Sequence, residues 1–562
     1  MLRNAHPVPF IARGVADGFE QTNTFPGACR LMRNFIFDQA NPNVAVARPG
    51  CTLLIDFGTE PSFIDPTWLP VHITVGTRIY GMVSTSTFGA FDEPFCYDTL
   101  DNVFIPVTGA GALNLPLTQA TVGQWNPPTM AQVGPYILIT HPGYDGTPGK
   151  FIGYIDVNIP LAPIYDCADT ALTGFADVPT AVVNYNNRAY YAVNNAIEFS
   201  DVLLPLQRTA GPPIQVLTFG DDTPISALAP LAMGTSVQGV LGALIVFKAS
   251  VESTAGSKMS MWQVTGDIDT LPQSNLLVQQ LAENVGTFAP RSCWNTPEGL
   301  KFMGADGVYV VNVAGMVIPL NNRRGDPDGL PDLRLPFAEA TPAQQSRAAG
   351  CYNAGVYRIS LDTVINGIAQ DGLDFWFDER YRRWNGPHTF RYDCASPLGK
   401  QFVLSSSTHG AVLFLSSPTQ QSAQSVYTDN GVVYECFMQG SLMSDQGDMN
   451  MNTIVETTME LGRSSQSSQY IIQAQDEFGA SLNEATITIL NVGALWGSVT
   501  WGEFEWAASS YISQILNVPW TEPIIFKRIQ FQVRCTAQGG VALGRTWVRY
   551  QQLGYMNTQQ VA

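Results

Sequence analysis

The stretch LKFMGADGVYVVNVAG, residues 300–315, decides how the chain is read. Apolar and aromatic residues run up to Asp306-Gly307 and resume directly after it. Asp-Gly between two such runs is a tight-turn signal, so the segment reads as strand, turn, strand. The same unit recurs along the chain. It appears as TRIYGMVSTSTFGAFDEPFCYD at 77–98, PYILITHPGYDGTPGKFIGYIDV at 135–157 and RAYYAVNNAIEFSD at 188–201, where Asn194-Asn195 marks the turn. It appears again as ALIVFKASVESTAGSKMSMWQVTGD at 243–267, GVYRISLDTVINGIAQDGLDFWFDERYRRW at 355–384 and QFVLSSSTHGAVLFLSS at 401–417.

Hairpin centres fall roughly every 40 to 60 residues, the spacing of a β-propeller with one antiparallel unit per blade. A lone four-stranded blade leaves both faces and both edges open; stacking blades around an axis buries the faces in turn. The expected fold is all-β: a β-propeller of six or seven irregular blades with a C-terminal β-sandwich-like domain. No Trp-Asp terminus, kelch double glycine or S-x-D-x-G-x-T-W box accompanies the repeats.

Composition agrees. Of 562 residues, 45% are apolar and only 14% charged, with 50 Gly and 37 Pro, which suits short strands and many turns. Helical bundles need more Lys, Glu and Ala, and disordered chains carry more charge and fewer apolar residues. One helix signal stands out. Thr341 is an N-cap, Pro342 the first helical residue, and Gly350 the terminating glycine after AQQSRAA. This short helix is expected to link two blades.

Character changes near 440. Beyond the polar SLMSDQGDMNMN, strands follow closely: TIVETTMELG, SQYIIQAQD, EATITIL, IIFKRIQFQVRCT and TWVRYQQLGYM. Trp496, Trp501, Trp506, Trp520 and Trp547 also crowd into this region. The division expected is an irregular N-terminal segment over 1–60 contacting an adaptor or neighbour, a propeller over 61–440, and a sandwich-like platform over 441–562.

Charge and cysteine usage narrow the function. There are 47 acidic residues against 29 basic ones, a net charge of −18, and only six of the cations are Lys. A general nucleic-acid binder needs clustered cations. Cys29, Cys51, Cys96, Cys167, Cys293, Cys351, Cys394, Cys436 and Cys535 are odd in number and never form C-x-x-C. They read as buried thiols made in a reducing compartment, neither a disulfide framework nor a zinc site. MLRNAHPVPFIARG lacks the apolar core of a signal peptide. The uncharged stretch from Ser226 to Phe247 contains Pro230, Gly234, Gly239 and Gly242, so it reads as two buried strands rather than a membrane helix.

Candidate chemical motifs are weak. Gly109-Ala110-Gly111 lacks the third glycine and following helix of a dinucleotide turn, and GTSVQG at 234–239 lacks the spacing of a nucleophile elbow. His6, His72, His141, His388 and His409 have no partner histidine at metal-ligand spacing. RRGDPDGLPD, with Asp326, Asp328 and Asp332, resembles a calcium loop but has no terminal bidentate Glu, and Arg324-Gly325-Asp326 is a chance tripeptide. Arg380, Arg382, Arg383 and Arg391 surround Trp384 and suggest either an anion or protein contact, or a strand edge guarded by charge and paired with Asp378 and Glu379. No catalytic, cofactor-binding or metal-binding residue is therefore expected, and the chain is not expected to be an enzyme.

A family resemblance enters on four stretches: RLMRNFIFDQANPNVAVARPGCTLL at 30–54, PISALAPLAMGTSVQGVLGALIVFKASVESTAGSKMSMWQVTGD at 224–267, NVGTFAPRSCWNTPEGLKFMGADGVYVV at 284–311, and WTEPIIFKRIQFQVRCTAQGGVALGRTWVRYQQLGYM at 520–556. They resemble the tail nozzle (tail hub, or packaged-DNA stabilisation) proteins of short-tailed bacteriophages. The matching features are Asn34, the turn Arg48-Pro49-Gly50, the strand ending Val246-Phe247-Lys248, the strand from Trp262 to Gly266-Asp267, and the blade carrying Pro290, Ser292, Asn295 to Gly299 and Asp306 to Tyr309. The loop Ser250–Ser257 departs by lengthening its hairpin.

The resemblance implies a structural virion protein of the tail, assembled in the bacterial host cytoplasm. Its partners would be further copies of itself in a homohexameric ring, a head-to-tail adaptor, tail fibre or tail tip proteins, and double-stranded DNA passing without sequence-specific binding or membrane insertion. A lumen lined by acids would let DNA slide, and Asp221-Asp222, Asp267/Asp269 and Asp445/Asp448 are the candidate lumen loops. The alternative reading is a propeller-fold tail protein that binds or degrades glycan, which would need paired acidic residues.

Overall fold

The structure is a computed structural model. It describes residues 6–8, 14–15 and 28–555, apart from 40, 60–65, 86–90, 110–114, 117–127, 142, 145–150, 168–177, 210–214, 237–238, 253–255, 267–275, 321–332, 334, 366–367, 420–426, 445–449, 463–466, 490–512 and 537–539.

The chain is all-β and contains a propeller. Seven sheets of at least four strands follow one another, each starting at the axis and running outward. The first strands are Pro66–Val75, Thr129–Val133, Ala181–Tyr185, Ile225–Ser236, Trp294–Thr296, Ala349–Asn353 and Cys394–Leu398. Each touches the next, and the last touches the first, so the ring closes with seven blades. The seven hairpins quoted above fall one per blade, as the second and third strands. Asn186, Asn187, Asn194 and Asn102 hold positive φ in their turns. This is the conformation that two-residue hairpin loops demand, and Asn tolerates it better than most residues.

Blade 7 takes three strands from Cys394–Leu398, Gln401–Ser405 and Val412–Ser416. Its outer strand, Cys51–Asp56, comes from the other end of the chain. Joining sequence-distant strands in one blade locks the ring. The seam between blades 7 and 1 carries further polar stitches. His72 Nδ1 lies 2.9 Å from Ser396 Oγ, Ser405 donates to the Pro70 carbonyl at 2.6 Å, and Thr74 donates to that of Pro397.

The segment expected to be irregular over 1–60 therefore has a structural job. Leu31–Arg33 pairs with Glu435–Gln439 of the platform and, at Met32, with Gly386 on the outer strand of blade 6. Blade 6 and one platform sheet thus form a continuous sheet. Phe35–Phe37 and Ala45–Ala47 join the other platform sheet beside Ala542–Tyr555. The platform is accordingly built from both chain ends and begins at Glu435. Its two sheets enclose residues such as Met459, Leu461, Tyr470, Ile472, Phe531 and Val533. Tyr470 crosses between them, donating to the Gly462 carbonyl at 2.9 Å. The same apolar core runs into blade 6 through Phe375 and Trp384.

A buried polar hub ties these parts together. Arg48, fully buried, pairs with Asp429 and donates from Nε to Asn34 Oδ1 at 2.9 Å. Asn34, at φ 59°, donates from its side chain to the Glu435 carbonyl at 2.7 Å and from its backbone to His388 Nδ1 at 3.1 Å. Tyr434 donates to the Arg48 carbonyl and lies 4.3 Å under its guanidinium. Gly50 completes the turn because a Cβ there would sit 2.0 Å from the Thr428 carbonyl oxygen. Burial opposes the charge on Arg48, and Asp429, with Tyr434 and Cys51, together more than offset it.

The helix Pro342–Arg347 has the expected N-terminus, with a capping box between Thr341 and Gln344, and it links blades 5 and 6. Its C-terminus differs from expectation. Ala348 caps it in extended geometry and Gly350 lies in the next strand, so no left-handed glycine is needed. The described cysteines form no disulfide with one another; all are buried except the half-buried Cys293.

Two outcomes follow from this framework. Arg48→Met strands Asp429 in the hub and should cost about 3–5 kcal/mol, read as a lowered urea midpoint. Arg48→Met with Asp429→Leu should recover part of that loss. Acid should also weaken the fold before the carboxylates titrate. Burial pushes the His72 imidazole down to about 3 from its ordinary 6.5, and pushes His388 well below it, aided by Arg48 and Arg358. The unfolded chain takes up these protons first, so stability is present above pH 6.5 and falls as pH drops toward 3. The thermal midpoint should decline already between pH 6.5 and about 5, above the main carboxylate range, and His72→Gln should flatten part of that slope.

Candidate functional site

The first strands of the blades leave a cavity of about 240 Å³ on the propeller axis, lined by residues of all seven blades. Its walls are mainly apolar, with Ile73 from blade 1 and Leu228 from blade 4 among them. Its side chains with polar or thiol groups are His72, Ser396, Arg291, Trp294, Thr129, Cys293 and Cys394. No acidic residue lines it among the described residues.

Local structure fixes each of these groups. His72 is held by Ser396 across the ring seam, is 5% exposed, and has no hydrogen-bond partner for Nε2 among the described residues. Arg291 sits on the single 3-10 turn Pro290–Ser292 that leads into blade 5. That turn is pinned by Ser292 Oγ donating to the Ala289 carbonyl at 2.7 Å and by Tyr357 donating to the Ser292 carbonyl at 2.8 Å. Arg291 Nη2 donates to the Arg347 carbonyl at 3.0 Å. Burial pushes the Arg291 guanidinium down to about 10. Chemically the cavity offers an indole and a mainly apolar wall, for His72 Nε2 and Arg291 Nε and Nη1 are themselves buried away from it.

The residues singled out from sequence go elsewhere. Asp221 is no free acid: it pairs with the fully buried Lys248 at 2.8 Å and with Lys258. These pairings, Lys248 foremost, hold its carboxyl well below the usual range. The expectation that acids cluster there without cations is corrected by fold: Lys248 lies on blade 4, and the 219–222 turn from blade 3 wraps its ammonium with the Phe219 and Asp221 carbonyls. Asp222 is exposed. Asp267, Asp269, Asp326, Asp328, Asp332, Asp445 and Asp448, and Arg324-Gly325-Asp326, lie outside the described residues.

The arginine cluster disperses. Arg380 pairs with Asp378 at 2.6 Å, Arg391 with Asp362 and Asp393, and Arg382 with Glu298, while Trp384 is fully buried. Glu379 instead accepts from Lys301 of blade 5 and from Tyr352 at 2.7 Å. His141 accepts from the Gly143 amide at 2.8 Å, and His409 stacks on Phe390. GTSVQG lies at the turn between Ile225–Ser236 and Gly239–Glu252 of blade 4, and Gly109 follows blade 1. The described residues contain no cluster of three or more His, Cys, Asp or Glu placed to hold a metal ion.

No protein-family model matches the chain, and no curated protein does. Solved structures similar to it include a puromycin-hydrolysing peptidase of Mycobacterium tuberculosis, at 11% identity and a TM-score of 0.39, covering 67% of this chain and 58% of that one. A second puromycin hydrolase gives 12% identity and a TM-score of 0.35, covering 71% and 62%. The chain thus spans about three fifths of the length of these two proteins. The β-propeller domain of the trilobed protease of Pyrococcus furiosus gives 7% identity and a TM-score of 0.36, covering 64% and 96%. A Bacteroides ovatus GH43 protein of a xyloglucan locus gives 8% and 0.26, covering 88% and 99%. The expectation that the chain is not an enzyme is corrected here: the structures similar to it include proteins named as a puromycin-hydrolysing peptidase and a puromycin hydrolase.

Proposed function

We propose that this chain is a subunit of the tail nozzle of a short-tailed bacteriophage, a ring below the portal and adaptor that retains DNA and then conducts it. The observation that supports this reading most is the hub. Asn34 and Arg48-Pro49-Gly50, the early residues on which the resemblance rests, are the residues that weld propeller to platform. Ring components carry load across their domains, and a continuous sheet from blade 6 into the platform suits that task. The platform also leaves Val455, Ile515, Ile525 and Leu553 exposed on one sheet, apolar surface of the kind that marks subunit contacts.

A second reading is a propeller that binds or degrades surface glycan; the Trp294 indole on the axial cavity suits binding, while among the described residues the lining carries no acidic pair for cleavage. The two readings separate by experiment. Electron microscopy of assembled tails should show six copies around the DNA axis; any other copy number overturns the nozzle reading. Glycan binding or release of saccharide from host envelope fragments by the purified chain would favour the second. For the channel, Asp222 is the described acid left exposed among the lumen candidates. Asp222→Lys should slow DNA ejection at low salt and spare it at high salt; normal ejection in both salts places Asp222 away from the path.

A further inference from the structure

We infer that the outer rim of blades 1 and 2 is a docking surface for a protein segment that presents aliphatic side chains beside Lys or Arg. In blade 1, the turn from the third strand, Phe91–Asp98, to the outer strand, Val103–Ile105, leaves Leu100 72% and Val103 49% exposed. In blade 2, the turn from Gly153–Asp156 to Ile164–Cys167 leaves Ile159 61%, Leu161 76% and Ile164 45% exposed. Exposed apolar residues scattered singly are ordinary, but a contiguous set marks a contact.

Polar bonds bring these two turns together. Arg78 Nε donates to Asp98 at 2.9 Å, and its Nη1 donates to the Pro160 carbonyl of the next blade. Asp98 also accepts from the Leu100 amide at 3.0 Å, so Leu100 and the 159–161 turn flank one chain of bonds. Farther along, Thr108 donates to the Pro163 carbonyl at 3.1 Å and accepts from the Tyr165 amide at 2.8 Å. Pro163 and Tyr165 are buried, and Ile164 between them is exposed, as alternation along a strand requires. These polar bonds hold the rim and leave its aliphatic side chains unused. The corresponding stretch of blade 3 exposes Leu203 and Leu204, and Leu203 is held at φ 59°, a conformation costly for a bulky side chain.

Charge names the partner. Between Pro49 and Asn187 the chain has twelve acidic residues and two cations. One of those cations, Arg78, is spent on Asp98. Asp101, next to Leu100, and Asp166, near Ile164, are exposed. Such a field repels DNA, anionic lipid and the same surface of a second copy, and it draws and orients a cationic partner. The partner therefore brings apolar side chains to the rim and positive charges to the acids around it.

The test uses the full chain and three short fluorescent peptides read by anisotropy: an amphipathic leucine–lysine peptide, a serine–lysine peptide of equal charge, and a leucine–glutamate peptide of equal apolar content. The leucine–lysine peptide should bind, and the other two should bind far more weakly. Leu100→Ser with Leu161→Ser should weaken that binding about tenfold or more, the loss expected when central apolar contacts of an interface go, with the thermal midpoint unchanged. Asp101→Lys should weaken it too. Phe478→Ser, which removes an exposed apolar residue of the platform, should leave it unchanged. Should the double serine variant not fold, Leu100→Ala with Leu161→Ala carries the same comparison. No binding of the leucine–lysine peptide, equal binding of the serine–lysine peptide, undiminished binding by the folded double variant, or an equal loss in Phe478→Ser overturns the inference. Binding of phosphatidylglycerol vesicles that the double variant abolishes would make the rim a lipid site. Self-association that it abolishes would make the rim a contact between copies. Either result overturns the assignment to a cationic protein segment.

Discussion

The fold depends on one buried charge. Arg48 sits where three pieces of chain meet: the N-terminal run through Asn34, the exit from blade 7 at Asp429 to Glu435, and the end of blade 6 at His388 and Thr389. A buried guanidinium is tolerated only where its donors are met and its charge is paired. Each element around it supplies one such group: a carboxylate from Asp429, an amide oxygen from Asn34, a carbonyl from Pro49 and a ring face from Tyr434. The hub therefore selects a single register for the N-terminal strands on both sides of it. A slip of one residue in Cys51–Asp56 would turn its core-facing residues outward and pull Arg48 away from Asp429.

The same device recurs at the blade seams. Arg358 of blade 6 pairs with Asp374 at 2.6 Å, donates to Ser416 of blade 7, and packs against Trp376, Tyr392 and Phe402. Lys301 links blade 5 to Glu379 of blade 6, and Lys248 anchors the turn between blades 3 and 4. Two of the six lysines are thus spent inside the propeller. The scarcity of Lys is not in itself evidence about a DNA path, because the chain uses its cations as internal pins as well as on its surface.

What could be read in the sequence, and what could not, follows from where each strand sits. The middle strands of each blade are buried on both faces, so they show as apolar runs bracketing Asn or Gly turns, as Arg188–Val193 does with every residue buried. First strands face the axial cavity on one side and look unremarkable: Trp294–Thr296 is three residues long and Thr129–Val133 has little alternation. Missing them leaves the blade count open and hides His72 and Arg291, which lie 219 positions apart in sequence and share a site only once the ring closes. Partnership across blades is equally invisible. Asp221 reads as an isolated acid because its partner, Lys248, is 27 residues away on another blade. Asn34 and Arg48-Pro49-Gly50 could be marked from resemblance, but their physical role needed Asp429 and His388, which no local pattern connects to them.

Attachment of the platform has a consequence for ring closure. The strand pairing that joins propeller to platform runs through blade 6 at Gly386, while blade 7 is tied to the platform by the chain that leads from Ala45–Ala47 into its outer strand Cys51–Asp56. Among the described residues no strand of blades 1 to 5 pairs with the platform. The seam between blades 7 and 1 therefore separates the anchored part of the ring from the part held only by its neighbours. His72 and Ser396 stand on that seam, and Arg291 enters from blade 5, next to the other anchored edge. Across that seam the ring is held by His72 with Ser396, by Ser405 donating to the Pro70 carbonyl and by Thr74 donating to that of Pro397. Among the described residues no backbone ladder spans this boundary. These side-chain bonds close the ring in the same sense that Arg48 closes the junction with the platform, by meeting buried polar groups across it.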